Sequence, residues 1–558
     1  MPMTKPTSEQ VTFLAAGSGA SQRTVLDRLR DVVSVKDFGA VGDGVADDTV
    51  AVQAAINAAQ DIYFPDGTYI VRNVTVGSGR RISGSRSATV KLKQLASLDF
   101  SPCFNVTGNN VEFIGLSFDG NRANQPADGF SDSWNTGANG TGKSNRAAIV
   151  MDGVLTTTLS GILVSECRFT QFYAASVATR SVNNVAIRNS TFFDSNLEGC
   201  FLYGFSTTRT VNASVVGCTF KSLYVAGAVN ANAIVTTNYD GVIVSANYGD
   251  DCDRNLIKLE TCSDAVIDGN MYSNNRVVGF NAMQAQGLCR NIIFSNNVLK
   301  NVGLGILVGG VASTIFNVVI DGNIVDTIVG AGTTPDGIVV EYVSDCTITN
   351  NVIRNSGRYG IYVSVSSNNV TIANNRITDS GGVAKNGPAI YVSLLDSASV
   401  SSMTLCGNVC VGHQMITNGI LSIQSSNPSL PGTVANLLVA SNVLSGIGAT
   451  NNRTLYSTSS TIYTAGSIID NVTTGVIEWQ AGSGGALTCR NNVGTQVIVS
   501  DPTLARGLPS ASAAPVSGTH RVGDVVFNSA PTAGGTIGWV CTTAGTPGTF
   551  KTFGAISV

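Results

Sequence analysis

Charge is scarce in this chain. Asp, Glu, Lys and Arg together make up 12% of its 558 residues, about half the usual share. The formal net charge of −3 gives no electrostatic basis for holding nucleic acid or an anionic membrane. No apolar run reaches the eighteen or so residues that span a bilayer. Histidine is limited to His413 and His520, and none of the twelve cysteines falls in a C-x-x-C pair, Cys406 and Cys410 being the nearest two. A zinc site is therefore not expected, and neither is any other cofactor. Most cysteines sit in apolar runs such as "SECRF" and "VGCTF", as small buried hydrophobes would. That fits folding in a reducing compartment and does not require disulfides. The first residues, "MPMTKPTSEQVTFLAAGSGASQ", lack a charged region followed by an apolar core, so no secretory signal is expected. Gly-rich pieces such as "GSGGA" lack the GK[ST] ending of a phosphate loop.

What the chain has instead is glycine, 61 residues of it, and many short runs of Ile, Val and Thr broken by asparagine. Aligned on one position, these runs repeat: Cys167, Ser190, Cys218, Asn247, Asn270, Asn297, Asn323, Asn351, Asn375, Asn408 and Asn442, with Asn471 and Asn492 extending the column. Successive spacings as far as Asn442 run from 23 to 34 residues. Each unit holds three β-patterned runs separated by turns, for example "NVTIA", "RIT" and "AIYVSL". A unit with three strands and no helix cannot bury its apolar residues alone, whereas stacked units can, giving a solenoid. The column asparagine falls at a sharp bend, where Asn tolerates left-handed geometry and stacked amides bond from coil to coil. The fold expected is all-β, a right-handed parallel β-helix. Upstream, "VADDTVAVQAAINAAQDIYFPDGTYIV" predicts a helix from Thr49 to Ala59 with Asp47 or Asp48 as N-cap, plugging the open end of the solenoid.

The stretch "VSVKDFGAVGDGVADDT", followed by "AVQAAINAA" and "IYFPDGTY", resembles the opening of pectate-lyase-superfamily β-helices found in bacteriophage tailspikes. The resemblance covers residues 31 to about 500. It implies residues 1–30 as a short virion-attachment segment, 31–105 as N-terminal cap and first strands, and 106–500 as β-helix with an insertion at 119–144. Residues 501–558 are then similar to a small β module for trimerisation or glycan binding. The resemblance further implies a homotrimer on a phage tail, made in the host cytoplasm and joined to tail or adaptor through its N-terminus, that binds and cleaves capsule or O-antigen polysaccharide.

The repeat also acts as a ruler. The third strand of a coil typically starts ten residues after the column position. This places Val177, Cys200, Ala228, Ile257, Phe280, Ile306 and Ile361 inward, with Ile338 and Ile390 joining after longer turns. Residues one and three further on face out, including Phe201, Tyr203, Lys258, Glu260, Asn281, Met283, Glu341, Tyr362 and Tyr391. One coil, "YGDDCDRNLIKLETC", concentrates charge: Asp250, Asp251, Asp253 and Arg254 in the turn, then Lys258 and Glu260 on the outer face. Glycoside hydrolysis uses two carboxyl groups, about 5 Å apart for retention and about 6.5–9.5 Å for inversion. Glu260 with Asp253 or Asp251 is the candidate catalytic set, Glu198 the reserve. Glu341, three coils from Glu260, would lie about 14 Å away at a coil rise of about 4.8 Å and is assigned to substrate binding. Lys258, Arg254, Tyr362, Tyr391 and Tyr203 are assigned likewise, the rings because polar-tipped aromatics suit sugar faces. Trp134, in the insertion, joins them, the insertion being expected either to wall a saccharide groove or to make a trimer contact.

A trimeric spike hydrolysing a bacterial surface polysaccharide is thus the leading expectation. Two others remain open: β-elimination on a uronic-acid polymer, with Arg254, Lys258 and Tyr362 as its players, and a glycan-binding adhesin without catalysis. The blander alternatives are a solvated Lys258–Glu260 ion pair, turn aspartates that cap backbone amides, and aromatic ladders that stabilise bare sheets.

Overall fold

The computed structural model describes residues 5–558 except 98, 100, 127–145, 154–158, 206–208, 225–231, 276–280, 310–314, 327–334, 365–366, 382–386, 395–398, 415–418, 426–431, 448–452, 458–460, 475, 481–485, 491, 494–495, 501–509 and 519. Each coil lays down one strand in each of three sheets, as in Asn368–Ala373, Arg376–Thr378 and Ile390–Leu394. The first sheet stacks from Val33–Ser34 to Ala486–Arg490. The second has sixteen strands, from Asp43–Asp47 to Val472–Thr473, and the third sixteen, from Val74–Val76 to Gln496–Ser500. Pairing is parallel at every step, for example Tyr362↔Tyr391 and Val370↔Met403. Alternation follows directly: Ile361 and Val363 are buried while Tyr362 between them is half-buried. A single apolar core runs the length of the solenoid.

Near its start that core carries a stack of rings. Phe118, Phe169, Phe192 and Phe220 occupy the same inward position on successive coils, with centroids 4.9, 4.8 and 4.7 Å apart and near-parallel planes. The spacing is that of the strands themselves, so one residue type in register produces a continuous column. The N-terminal helix is Thr49–Ala58, and it buries Val52, Ala55 and Ile56. Its cap is shared between two aspartates. Asp47 accepts from the Thr49 amide at 3.1 Å, while Asp48 turns to the amides of Val41 and Gly42 at 2.6 and 3.2 Å. The C-terminal strands Ser510–Ala511, Val525–Asn528, Thr536–Thr543 and Thr549–Ala555 form a separate four-stranded sheet with antiparallel hairpins. All twelve cysteines are free thiols, and ten are buried.

The asparagine column is present and fully hydrogen bonded. Asn375 Nδ2 donates to the Ile348 carbonyl at 2.9 Å and to Asn408 Oδ1 at 3.0 Å, and its own Oδ1 accepts from the amide and Nδ2 of Asn351, both at 3.0 Å. The same pattern links Asn247 through Asn492. The two residues of each pair divide the work, which the sequence reading had placed on one. The first of the pair takes the left-handed turn (Asn350, Asn374, Asn296, with φ of 56°, 57° and 53°), and the second is the buried rung.

The ten-residue ruler holds for Val177, Cys200, Ile257 and Ile361 and fails on two coils. After Cys218 the third strand is Ile234–Thr237, and after Asn270 it is Asn281–Gln286 with Met283 inward against Ile257. Met283 is therefore core, not surface, and Gln284 and Gln286 take the outward places. Longer turns precede both strands, and a fixed count cannot follow a turn of variable length. Ala228, Phe280 and Trp134 lie outside the described residues.

Candidate functional site

Two outward columns on the third sheet carry most of the face's polar and aromatic chemistry. One reads Phe201, Val235, Lys258, Gln284, Leu307, Val339, Tyr362, Tyr391, Ser422 and Tyr456 on successive strands. The other passes through Asp152, Arg180, Tyr203, Thr237, Glu260 and Gln286, and on later strands through Glu341, Ser364, Ser393 and Gln424.

At Glu260 the carboxylate is surrounded by donors. Lys258 Nζ lies at 2.6 Å and Gln286 Nε2 at 2.5 Å from Oε1, and Thr237 Oγ1 donates to Oε2 at 3.2 Å. The structure does not join the turn aspartates to this cluster. Asp251 sits at a left-handed bend and accepts from Ser222 Oγ at 3.0 Å. Asp250 accepts from Ser273 and Asn274 and faces Lys221 at 3.4 Å. Asp253 is 1% exposed, with its amide bonded to the Leu223 carbonyl. Arg254 is half-buried, its carbonyl accepting from Tyr272 Oη at 2.7 Å and Asn275 Nδ2 at 3.0 Å. Glu198 is buried, as is His413, whose Nδ1 faces the Ser380 amide. Asp250 and Asp251 thus stay with the second-sheet corner, and Glu260 stands on the third-sheet face.

A denser constellation lies three strands on. Arg358 holds the fully buried Asp336 with both arms, Nε to Oδ1 at 2.9 Å and Nη2 to Oδ2 at 2.5 Å, and the Tyr359 amide adds a third bond to Oδ1 at 2.9 Å. With its edge so occupied, the guanidinium lies over two rings, 4.4 Å from Tyr359 and 5.1 Å from Tyr362, within cation–π reach. Tyr391 stacks on Tyr359 at 4.7 Å and on Tyr362 at 5.7 Å, making a three-ring platform. Burial first, then the neighbouring tyrosines, pushes the Tyr391 hydroxyl up to about 12, so Tyr391 stays a hydrogen-bond donor across the physiological range. Burial also raises the Glu341 carboxyl above the usual glutamate range. The Asp336 charge adds to the rise and Arg358 opposes it. Gly309, with φ +125°, fills the space beside it: a Cβ there would meet the Glu341 Cβ at 2.8 Å and its carbonyl oxygen closer still. The Gly309 backbone therefore packs directly against the backbone and Cβ of Glu341.

Smaller versions of the arrangement flank it. Arg180 engages Asp152 through Nε and Nη2 and lies 6.0 Å from the Phe205 ring, beside the stacked Phe201 and Tyr203. Arg453 engages Glu478 at 2.5 and 3.2 Å and lies 4.5 Å from Tyr456. Sequence reasoning reached Tyr203, Glu341, Tyr362 and Tyr391 by counting but missed Asp336, Arg358, Tyr359, Gln286, Arg453, Tyr456 and Glu478. "SGRYG" and "PDGIVV" were the available signal: charges immediately before third strands in a chain nearly without them. Among the described residues no group of three or more His, Cys, Asp or Glu is placed to hold a metal ion.

Comparison with known proteins gives three family matches along the chain. The family described as "Rhamnogalacturonase A/epimerase, pectate lyase-like" matches residues 32–100, "Periplasmic copper-binding protein (NosD)" matches 211–384, and "Right handed beta helix region" matches 304–496. The chain is 27% identical over 278 residues to mannuronan C5-epimerase AlgE1 of Azotobacter vinelandii, covering 44% of this chain and 18% of that protein. It is 36% identical over 105 residues to the preneck appendage protein of Bacillus phage PZA, covering 17% and 12%. In both cases it spans less than a fifth of the relative's length. Among solved structures, the pre-mature bacteriophage phi29 gene product 12 superposes with a TM-score of 0.50 at 14% identity, over 85% of this chain and 74% of that one. Parallel coils, a capped N-terminal end and these matches together identify the chain as a right-handed parallel β-helix protein with a pectate-lyase-like opening.

Proposed function

We propose that the protein is a phage-tail appendage that binds a bacterial capsule or O-antigen polysaccharide along the outward face of its third sheet and shortens it by glycosidic-bond hydrolysis. The observation that carries this reading is Glu341, a carboxyl group with a raised pKa on the strand next to the one that bears Tyr362 of the three-tyrosine platform. A general acid for a leaving sugar oxygen is helped by a raised carboxyl pKa, which is the direction of the Glu341 shift. As the C–O bond breaks, Glu341 gives its proton to the leaving oxygen. Water adds to the anomeric carbon and its second proton restores the acid. Glu260, about 14 Å away at about 4.8 Å per strand, is too far to share one bond with Glu341. Its cluster with Lys258, Gln286 and Thr237 forms a second contact region on the same path.

The named actions of the relatives, a polymer-modifying epimerase and a phage appendage, support both the glycan and the virion parts of this reading. A division into attachment segment, capped β-helix and C-terminal module is part of the proposal, and the N-terminal helix and the separate four-stranded sheet fit it. Self-association as a homotrimer is part of the proposal. Its support is an apolar outward column on the second sheet that includes Tyr248, Met271, Ile324, Val443 and Val472.

The test is incubation with a panel of capsular and O-antigen polysaccharides, following chain length, new reducing ends and near-ultraviolet absorbance. Chain shortening with new reducing ends and no absorbance is expected. Glu341→Gln should abolish cleavage and retain binding, while Glu260→Gln should weaken binding and retain cleavage. The reverse result assigns the chemistry to the Glu260 coil, an unsaturated absorbing product assigns elimination, and binding without any shortening leaves an adhesin.

A further inference from the structure

Resting on that reading of the third-sheet face, we infer that the polysaccharide it takes is uncharged along the stretch in contact, and is not a polyuronate or polysialate. Four described cations stand in the two outward columns or stack on their rings, and every one is matched to a carboxylate of the same chain: Arg180 to Asp152, Lys258 to Glu260, Arg358 to Asp336 and Arg453 to Glu478. Glu341 is a fifth carboxyl group on that face, with no ion pair of its own. The face therefore carries balanced charge when Glu341 is protonated and one excess negative charge when it is not.

Geometry adds to the count. An arginine recognises a ligand carboxylate through the forked edge of its guanidinium. Arg358 gives that edge to Asp336 and its flat face to Tyr359 and Tyr362. Arg453 divides itself the same way between Glu478 and Tyr456. A uronate chain carries one carboxylate per sugar. On this surface each would lose water without gaining a counter-charge, and some would lie against the protein's own carboxylates. Both effects cost binding and discriminate against acidic polymers. Uncharged groups remain on offer: the half-buried Gln284 and Gln424 stand in the outward columns, Gln424 beside Tyr391. Amides of this kind pair with sugar hydroxyls, and the rings take the apolar faces of the sugars.

The test is gel retardation of the full chain in alginate, polygalacturonate and colominic acid, run beside the polysaccharide it cleaves. No retardation by the three polyanions is expected for the unmodified protein. Glu478→Gln and Glu260→Gln each release one cation, and each should gain a salt-sensitive retardation, weakening roughly three- to fourfold between about 0.05 and 0.2 M salt. Neither substitution removes side-chain volume, and unchanged far-ultraviolet circular dichroism verifies the fold. Two results overturn the inference. One is retardation of the unmodified protein by a polyanion that Lys258→Gln or Arg358→Gln abolishes. The other is release of host fragments bearing uronate or sialate in every repeat. Failure of the glycan reading has a different signature: no polymer, neutral or charged, is retained or shortened, and then both fall.

Discussion

At the scale of single residues, Glu341 and its surroundings make the sharpest statement. Burial and the Asp336 charge favour its protonated form, so its pKa in the folded chain lies above its value in the unfolded chain. The unfolded chain therefore holds fewer protons at this site over the interval between the two values. Stability falls as pH rises through that interval, and Glu341→Gln, which cannot ionise, should flatten this loss in melting temperature measured against pH. On the proposed reading of Glu341 as the acid, the same proton would set the alkaline limb of activity. Cleavage should decline as pH rises through the raised value, and Glu341→Gln should lower kcat by about a hundredfold or more with little change in affinity. A uniform loss of binding instead would place Glu341 among the positioning groups. For the platform, Tyr391→Ala removes one ring of three and should weaken oligosaccharide binding by about tenfold, equivalent to about 1.4 kcal/mol, in titration calorimetry. Asp336→Ala leaves Arg358 without its partner in a partly buried place. It should destabilise the fold by about 3 kcal/mol and loosen the rings that the guanidinium holds.

At the scale of the element, the asparagine ladder explains why so much of the fold was legible and where legibility stopped. Asn375 satisfies two donors and two acceptor directions within one bend, and this closed pattern demands the same residue at the same place in coil after coil. Asn375→Ala leaves the Asn351 side chain and the Ile348 carbonyl without that partner, and should cost about 3 kcal/mol in denaturant unfolding. Asn492→Ala, at the last rung and half-buried, should cost about 1 kcal/mol. Equal costs at the two positions would mean that the rungs act singly and not as a chain. Strand alternation then carried the reading outward to Tyr203, Lys258, Glu260, Glu341, Tyr362 and Tyr391. It failed where turns differ in length, as with Met283 and Gln284, because the turn before a third strand is free of the ladder's spacing constraint. Arg358 and Asp336 escaped for a related reason. Both lie in those turns, so nothing periodic marks them, and their pairing is a contact between neighbouring coils that only the folded chain displays.

At the scale of the whole molecule, a solenoid this straight leaves long faces in water, and the second sheet leaves the most apolar of them. Its outward column reads Tyr248, Met271, Val298, Ile324, Val352, Arg376, Val409, Val443, Val472 and Val493 on successive coils. Met271, Val472 and Val493 are 45%, 49% and 62% exposed. Around the corner, the first sheet adds Ile243, Val266, Ile293 and Val319. This largely apolar column, interrupted by Arg376, is the association face of the proposed trimer, and ten coils at about 4.8 Å extend it over roughly 43 Å, long enough for the 800 Å² or so that each partner in a stable complex buries. A partner that matches so long a stripe coil by coil must be straight and must repeat every strand, which a second copy of this chain does. The neighbouring column also permits it: Lys221, Asp250, Lys300, Asp326 and Arg354 alternate in sign, so copies side by side meet no block of like charge. Ile324→Glu combined with Val443→Lys should therefore reduce the sedimenting mass from three chains to one while the circular dichroism of the β-helix stays unchanged. An undiminished oligomer would move the interface to another face, and a monomeric unmodified chain would remove the trimer from the proposal. If the substituted monomer still cleaves polysaccharide, the third-sheet groove is complete within one chain; if cleavage disappears with the trimer, the groove needs a neighbouring copy to close it.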